Sequence, residues 1–286
     1  MRLLVTADIH YNQPRSRVLA DELIGQMNGI EADALLLLGD TASPHQDFLE
    51  QALSKFHFAG PKLFVAGNHE LWTLGSDSYS LFKETLPTRI RSLGWHWLED
   101  SPFLLGDVAI VGSVGWYDYS FAWPPLGIPE RFYHAKISPG AAERFDEFAT
   151  LFQKCDDIPP LSRELFARWN DGRYVKLGRD DSAFLDELLA SLETQLSALS
   201  HMAKIVVATH CVPSEVLLPP TTRLQWDFAR AFLGSRRMGE LFSRFGNVSK
   251  ILCGHSHYPV ESSIGPIHAI NIGSGYREKR YRLIEL

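Results

Sequence analysis

Five times in this chain an apolar run ends in Asp, Asn or His. Leu3–Ala7 leads into Asp8-Ile9-His10, Asp33–Leu38 into Gly39-Asp40, and Lys62–Ala66 into Gly67-Asn68-His69-Glu70. Lys204–Thr209 leads into His210, and Val248–Cys253 into Gly254-His255-Ser256-His257. Together Asp8, His10, Asp40, Asn68, His210, His255 and His257 offer two carboxylates, four imidazoles and an amide oxygen, with no thiolate. Mixed nitrogen and oxygen donors suit divalent ions such as Zn, Mn or Fe. Seven donors exceed what one ion needs and suit two ions sharing a carboxylate. Asp40, alone at the end of its strand, is the natural bridge. In extended chain, residues two apart point the same way. That spacing predicts that Asp8 and His10 face one point, and that His255 and His257 do the same.

Such donors work only if the strand ends share one edge. Arg15–Met27 carries Val18, Leu19, Leu23, Ile24 and Met27 at helical spacing, and Gly29 ends it. A strand, a helix and a second apolar strand predict a βαβ unit in a parallel sheet, whose carboxyl ends form the ligand edge. Further helices are expected over Gln46–Phe58 and Tyr79–Leu86, a strand over Trp95–Leu98, and a hairpin from Phe103–Leu105 and Val108–Val111 across Gly106-Asp107. Residues 117–200 are rich in proline and aromatics, with helices expected over Gly140–Lys154 and Asp181–Ser200. This stretch reads as a cap-like insertion in a single domain of residues 1–286. Helices near Thr222–Leu233 and Ser235–Phe245 follow. Val260–Ile264, Ile267–Ile272 and Arg280–Ile284 predict a terminal antiparallel meander.

The totals narrow the function. At 286 residues, 45% hydrophobic and 22% charged, the chain reads as a globular protein with a large core. A formal charge of −6 argues against avid, non-specific binding to nucleic acid, which needs many Lys and Arg on phosphates. Cys155, Cys211 and Cys253 are widely spaced and form neither a disulfide framework nor a C-x-x-C pair, so a reducing cytoplasm is expected. No apolar run approaches membrane-spanning length, and a core strand at the amino terminus leaves no room for a signal peptide.

The order D-x-H, G-D, G-N-H-E, a lone His after a strand, and G-H-x-H resembles the calcineurin-like metallophosphoesterases. Here it stands as Asp8-Ile9-His10, Gly39-Asp40, Gly67-Asn68-His69-Glu70, His210 and Gly254-His255-Ser256-His257, across nearly the whole chain. The resemblance implies an α/β fold, a two-sheet sandwich flanked by helices in four layers, with a dinuclear centre at one edge. It implies that Asp8, His10, Asp40 and His257 hold one ion, and Asp40, Asn68, His210 and His255 the other. It further implies that His69 protonates the leaving group or steadies the transition state, beside Asp40 and Asn68. The expected reaction is hydrolysis of a small phosphomonoester or phosphodiester by a hydroxide bridging two Mn, Fe or Zn ions. A nuclease of the same superfamily is a second reading, against which the acidic balance counts. A non-catalytic protein-binding scaffold is a third, which predicts lost ligands, and none is lost.

One departure stands out. Many members read G-D-x-x-D, the last Asp orienting the equivalent of His69. Here the run is Gly39-Asp40-Thr41-Ala42-Ser43, and Ser43 cannot support an imidazole as a carboxylate does. Glu70 is the candidate substitute. Trp116, Tyr117, Asp118 and Tyr119, and likewise Trp226, Asp227 and Phe228, either line the mouth of the site or anchor the cap. Cys211 and Cys253 read as small buried residues, and Arg236-Arg237 and Arg277–Arg280 as solvated basic clusters.

Overall fold

The structure, a computed structural model, describes residues 1–221 and 223–286. Four parallel strands open the chain: β1 (Arg2–Thr6), β2 (Ala34–Leu38), β3 (Lys62–Val65) and β4 (His96–Trp97). The next six are β5 (Phe103–Leu105), β6 (Val108–Ser113), β7 (Lys204–Thr209), β8 (Val248–Cys253), β9 (Val260–Ile264) and β10 (Ile267–Asn271). They form a second sheet in the order β5-β6-β7-β8-β10-β9, parallel except at its two edges. The last strand, β11 (Tyr281–Glu285), returns to the first sheet and lies antiparallel to β1, giving the order β11-β1-β2-β3-β4.

The two-residue period of the strands sorts their side chains into layers. Leu3, Val5, Leu36, Leu38 and Val65 of the first sheet share one buried cluster with Val108, Ile110, Val206, Ala208 and Leu252 of the second. Their alternates, Leu4, Leu35, Leu37, Phe64, Val111, Val207 and Ile251, belong to the cluster that packs against the helices. Both faces of both sheets are therefore covered, as parallel sheets require, and the expected two-sheet sandwich with outer helices is present.

The helix Pro14–Met27 begins on a proline, whose missing N–H costs nothing in the first turn, and buries Ala20, Leu23, Ile24 and Met27 along one stripe. The helix Asp181–Ala198 is capped by Asp180, whose carboxylate accepts the Ala183 N–H at 2.7 Å, and buries Phe184, Leu185, Leu188, Leu192 and Leu196.

Several expectations need correction. The helix expected over Gln46–Phe58 runs only from Phe48 to Leu53, because Gln46 and Asp47 have left-handed backbones that break its start. The one expected over Tyr79–Leu86 continues to Ser92 through a π turn at Leu81–Thr85. The Gly140–Lys154 helix is replaced by a short turn of helix, Pro139–Ala142, and a 3-10 stretch, Asp146–Phe152, that buries none of its residues and so lacks the packing a longer helix needs. The segment near Thr222–Leu233 is helical from Leu224, and Thr222 lies outside the described residues. The carboxyl-terminal meander is not formed: β9 and β10 pair, but β10 lies parallel to β8, and β11 leaves for the other sheet.

Residues between β6 and β7 are tied to one another through one acid. Trp116 Nε1 and Lys136 Nζ donate to Asp181 at 2.7 and 2.5 Å, and the Tyr119 hydroxyl donates to it as well. Trp116, Tyr117 and Tyr119 are buried, so they anchor this segment rather than line a mouth.

Candidate metal centre

All seven predicted donors converge where the carboxyl ends of the two sheets meet. Asp8 and His10 follow β1, Asp40 follows β2 and Asn68 follows β3; His210 follows β7, and His255 and His257 follow β8. The loops are stitched across strands: Asp8 N donates to Gly39 O at 3.0 Å, His10 N to Asp40 O at 2.8 Å, and Gly254 N to His210 O at 3.2 Å. Asp8 also joins the sheets, its carboxylate accepting the His255 N–H at 3.1 Å. A Cβ on Gly67 would collide with the Asp40 carboxylate and one on Gly254 with that of Asp8, so both motif glycines make room for acids.

Convergence does not arise as the spacing argument supposed. β1 stops at Thr6, and Asp8, His10, Asp40, His255 and His257 all have left-handed backbones, with φ between 48° and 68°. Asp, Asn and His tolerate that region better than other side-chain-bearing residues, though the strain persists only where surroundings enforce it.

Two groups of donor atoms result. His10 Nε2 and His257 Nε2 lie 3.0 Å apart, and His257 Nε2 is 3.4 Å from Asp8 Oδ1. His210 Nε2 lies 3.4 Å from Asp40 Oδ1 and 3.1 Å from Asn68 Oδ1. Asp40 Oδ2 is 3.7 Å from His10 Nε2, so the Asp40 carboxylate reaches both groups. Tautomers fit this assignment. His210 Nδ1 faces Leu38 O at 2.8 Å, which fixes its proton there and frees Nε2. His255 Nε2 faces Phe232 O at 3.1 Å, which frees its Nδ1.

The electrostatics favour a cation. Burial, then neighbouring imidazoles, hold His10 and His69 well below the usual histidine range. Burial lowers His210 too, and brings His255 down to about 3. These rings are neutral and present lone pairs. Burial, with Glu70 and Asp8 beside it, raises Asp40 well above the carboxylate range. Asp8 is pulled up by burial, yet His257 and then the other imidazoles leave it lowered. A buried cluster of lone pairs and acids without a cation carries an uncompensated penalty, and a divalent ion removes it. Three sets among the described residues hold donor atoms close enough for one ion: Asp8, His10 and His257; His10, Asp40 and His69; and Asp40, His210 and His255.

The supporting residues were not visible in the sequence. Asp171 is fully buried, and its carboxylate accepts from Asn68 Nδ2 at 2.8 Å, Trp72 Nε1 at 2.7 Å, Trp169 Nε1 at 2.8 Å and the Tyr117 hydroxyl at 3.0 Å. Holding the Asn68 amide nitrogen turns its oxygen toward His210. No motif marks Asp171, which lies in the irregular connection between β6 and β7. Glu70 accepts backbone N–H groups from Gly67, Asp40, Thr41 and Ala42 at 2.6 to 3.0 Å. It shapes the Asp40 loop, and among the described residues its carboxylate makes no hydrogen bond to the His69 ring, which corrects its expected role as an orienting acid. His69 Nδ1 has no partner among the described residues, and its ring is held instead by stacking on Trp72, with centroids 3.7 Å apart. Tyr276 stacks on His10 at 4.2 Å and meets His257 edge-on at 5.0 Å. A cavity of about 180 Å³ lies over the donors, walled by Trp72, Arg168, Trp169 and Tyr276 as well as His69.

The family model for calcineurin-like phosphoesterases matches residues 1–259. The chain belongs to the calcineurin-like phosphoesterases. Membership makes it a metal-dependent hydrolase acting on phosphate-ester bonds. Among curated proteins none matches the sequence. Among solved structures, this phosphoesterase is similar to a phosphopantetheinyl hydrolase from Mycobacterium tuberculosis, 19% identical over 96% of this chain and 89% of that one, with a TM-score of 0.66. It is also similar to a dimetal phosphatase from Danio rerio, 14% identical over 100% and 92% of the two chains, with a TM-score of 0.53. Among the described residues of the phosphoesterase, no helix is long and apolar enough to cross a membrane.

Proposed function

We propose that this phosphoesterase hydrolyses a small phosphate ester at a dinuclear centre, with Asp8, His10, Asp40 and His257 holding one ion and Asp40, Asn68, His210 and His255 the other. The observation that carries this reading is the Asp40 carboxylate, 3.7 Å from His10 Nε2 and 3.4 Å from His210 Nε2, between two groups of imidazoles. Bound Mn, Fe or Zn ions would supply Lewis-acid charge for the phosphoryl oxygens and a lowered pKa for water.

The chain's own residues do the rest. Asp171 holds Asn68 in the orientation a ligand needs. Glu70 fixes the Asp40 loop. His69 lines the cavity with Nε2 3.7 Å from Asp40 Oδ2, where it can hand a proton to the leaving oxygen. Its Nδ1 has no hydrogen-bond partner among the described residues to raise its basicity, so its contribution grows with the basicity of the leaving group. Trp72 and Tyr276 exclude bulk water from either side. Residues 117–200 serve as a cap on a single catalytic domain. The buried, unpaired Cys211 and Cys253 suit a reducing cytoplasm.

The test is hydrolysis of p-nitrophenyl phosphate and bis-p-nitrophenyl phosphate after loading with Mn²⁺, for the wild type and Asp40→Ala. Cleavage by the wild type alone supports the reading. A fully loaded wild type that cleaves neither overturns it for simple aryl esters.

A further inference from the structure

A second, larger cavity, about 560 Å³, opens beside the donors and shares His257 and Tyr276 with the one above them. Its size falls within the range of sites for small organic ligands. Much of its wall is aromatic or rigid: Trp226, Tyr258, Tyr276, Pro219 and Pro220. Trp226 is 50% exposed, unusual for the largest apolar side chain, and Phe228 two residues on is buried. Of the pair of readings open for that segment, Trp226 thus belongs to the mouth and Phe228 to the core.

The same cavity carries positive charge that is not neutralised by an acid among the described residues. Arg15 and Arg277 line it without an ion-pair partner among the described residues, whereas nearby Arg280 pairs with Glu278. The Arg15 guanidinium sits 4.0 Å from the Tyr276 ring centroid, and Tyr276 in turn stacks on His10. Deeper in the wall, Asp227 is only 7% exposed, and its Oδ1 has no hydrogen-bond partner among the described residues; Arg230 Nε is likewise unpartnered. Buried polar atoms of this kind cost free energy unless something supplies the missing bond. Gly273, Tyr276, Arg277 and Glu278 lie beyond residue 259, where the family match ends.

We propose that this cavity binds the organic part of the substrate, and that this part is a nucleoside bearing a second phosphate. A flat base fits the face of Trp226, and an anion meets Arg15 and Arg277. The inference rests on the phosphoesterase reading of the adjoining donors. The reaction balances as hydrolysis: water's oxygen bonds to phosphorus, the phosphorus–oxygen bond to the nucleoside breaks, and a proton goes to the departing oxygen.

The test uses adenosine 3′,5′-bisphosphate, adenosine 5′-monophosphate and p-nitrophenyl phosphate with the Mn²⁺-loaded full chain. The wild type should favour the bisphosphate over the monophosphate by about tenfold in kcat/KM, and Arg15→Ala or Arg277→Ala should erase that preference. Trp226→Ala should lower the ratio of either nucleotide to p-nitrophenyl phosphate by about tenfold. Cleavage of p-nitrophenyl phosphate with no nucleotide preference, or ratios untouched by all three variants, overturns the subsite and leaves the phosphoesterase reading standing. Calorimetric titration of the bisphosphate into metal-free protein separates the two readings. Binding tighter than about 1 mM that is lost in Trp226→Ala supports the subsite even if no ester is cleaved, and its absence sinks it.

Discussion

Asp171 makes a residue-scale claim that can be measured apart from catalysis. It touches no donor group except the Asn68 amide, so its loss should act on one ion and not the other. Asp171→Asn should weaken the ion held through Asn68 by roughly 10- to 100-fold, while the other ion stays, as read by metal content after dialysis and by competition with a chelator. Loss of both ions, or of neither, contradicts the assignment. His69 makes a different claim. Its ring leans on Trp72 and its Nδ1 is free, so it is oriented by stacking rather than by an acid. His69→Asn should cost about 10²–10³ in kcat for an alkyl phosphate and far less for p-nitrophenyl phosphate, whose leaving group needs no proton. Equal losses on both substrates would place His69 in transition-state electrostatics instead.

At the scale of elements, Glu99 ties the loop after β4 to the loop after β6 by accepting the Val114 N–H, and so spans the two sheets. Burial raises its pKa to about 8, against the backbone hydrogen bond from Val114 that lowers it. The folded chain therefore holds a proton that the unfolded chain, with an ordinary glutamate, has released. The stability this gives is full at pH below about 4.5 and is lost as pH rises toward 8. Glu99→Gln keeps an acceptor for Val114 and cannot ionise, so its melting temperature should exceed that of the wild type by a few degrees at pH 9 and match it near pH 5, as thermal melts would show. The elements themselves were largely legible in the sequence. Runs such as Leu35–Leu38 and Ile205–Val207 can only be buried strands, and the donors at their ends declared the ligand edge. What stayed hidden depends on distant partners. Tyr281–Glu285 reads as a strand, but its pairing with β1, from the far end of the chain, has no local signature. Asp171 is a lone acid in an irregular segment, and Tyr276 follows what reads only as a glycine turn. The D-x-H spacing argument assumed an extended chain, but the backbone at Asp8 and His10 is left-handed.

For the whole molecule, the centre is where two sheets and the long connection meet: Asp8 reaches from the first sheet to His255, and Asp171 reaches back from the connection to Asn68. An ion there binds only the folded state, so it should act as a staple between them. Mn²⁺ in excess should raise the melting temperature over that in EDTA, by an amount set by RT ln(1 + [L]/Kd), or ~4 kcal/mol at a thousandfold excess over Kd. Equal melting with and without the metal would mean that the folded chain does not bind the ion in preference to the unfolded one.

The left-handed backbones of Asp8, His10, Asp40, His255 and His257 have a consequence for how this protein can change over generations. At each, glycine would relax a conformation that costs a side-chain-bearing residue about 1 kcal/mol. His257, the least enclosed of the donors, shows the effect most cleanly. In EDTA, His257→Gly should melt no lower than the wild type, while its activity with Mn²⁺ disappears. Selection for robustness alone would thus erode the centre one ligand at a time and leave an inert, sturdier scaffold. Side chains at these five positions are thus what a metal-binding role, rather than folding, would require.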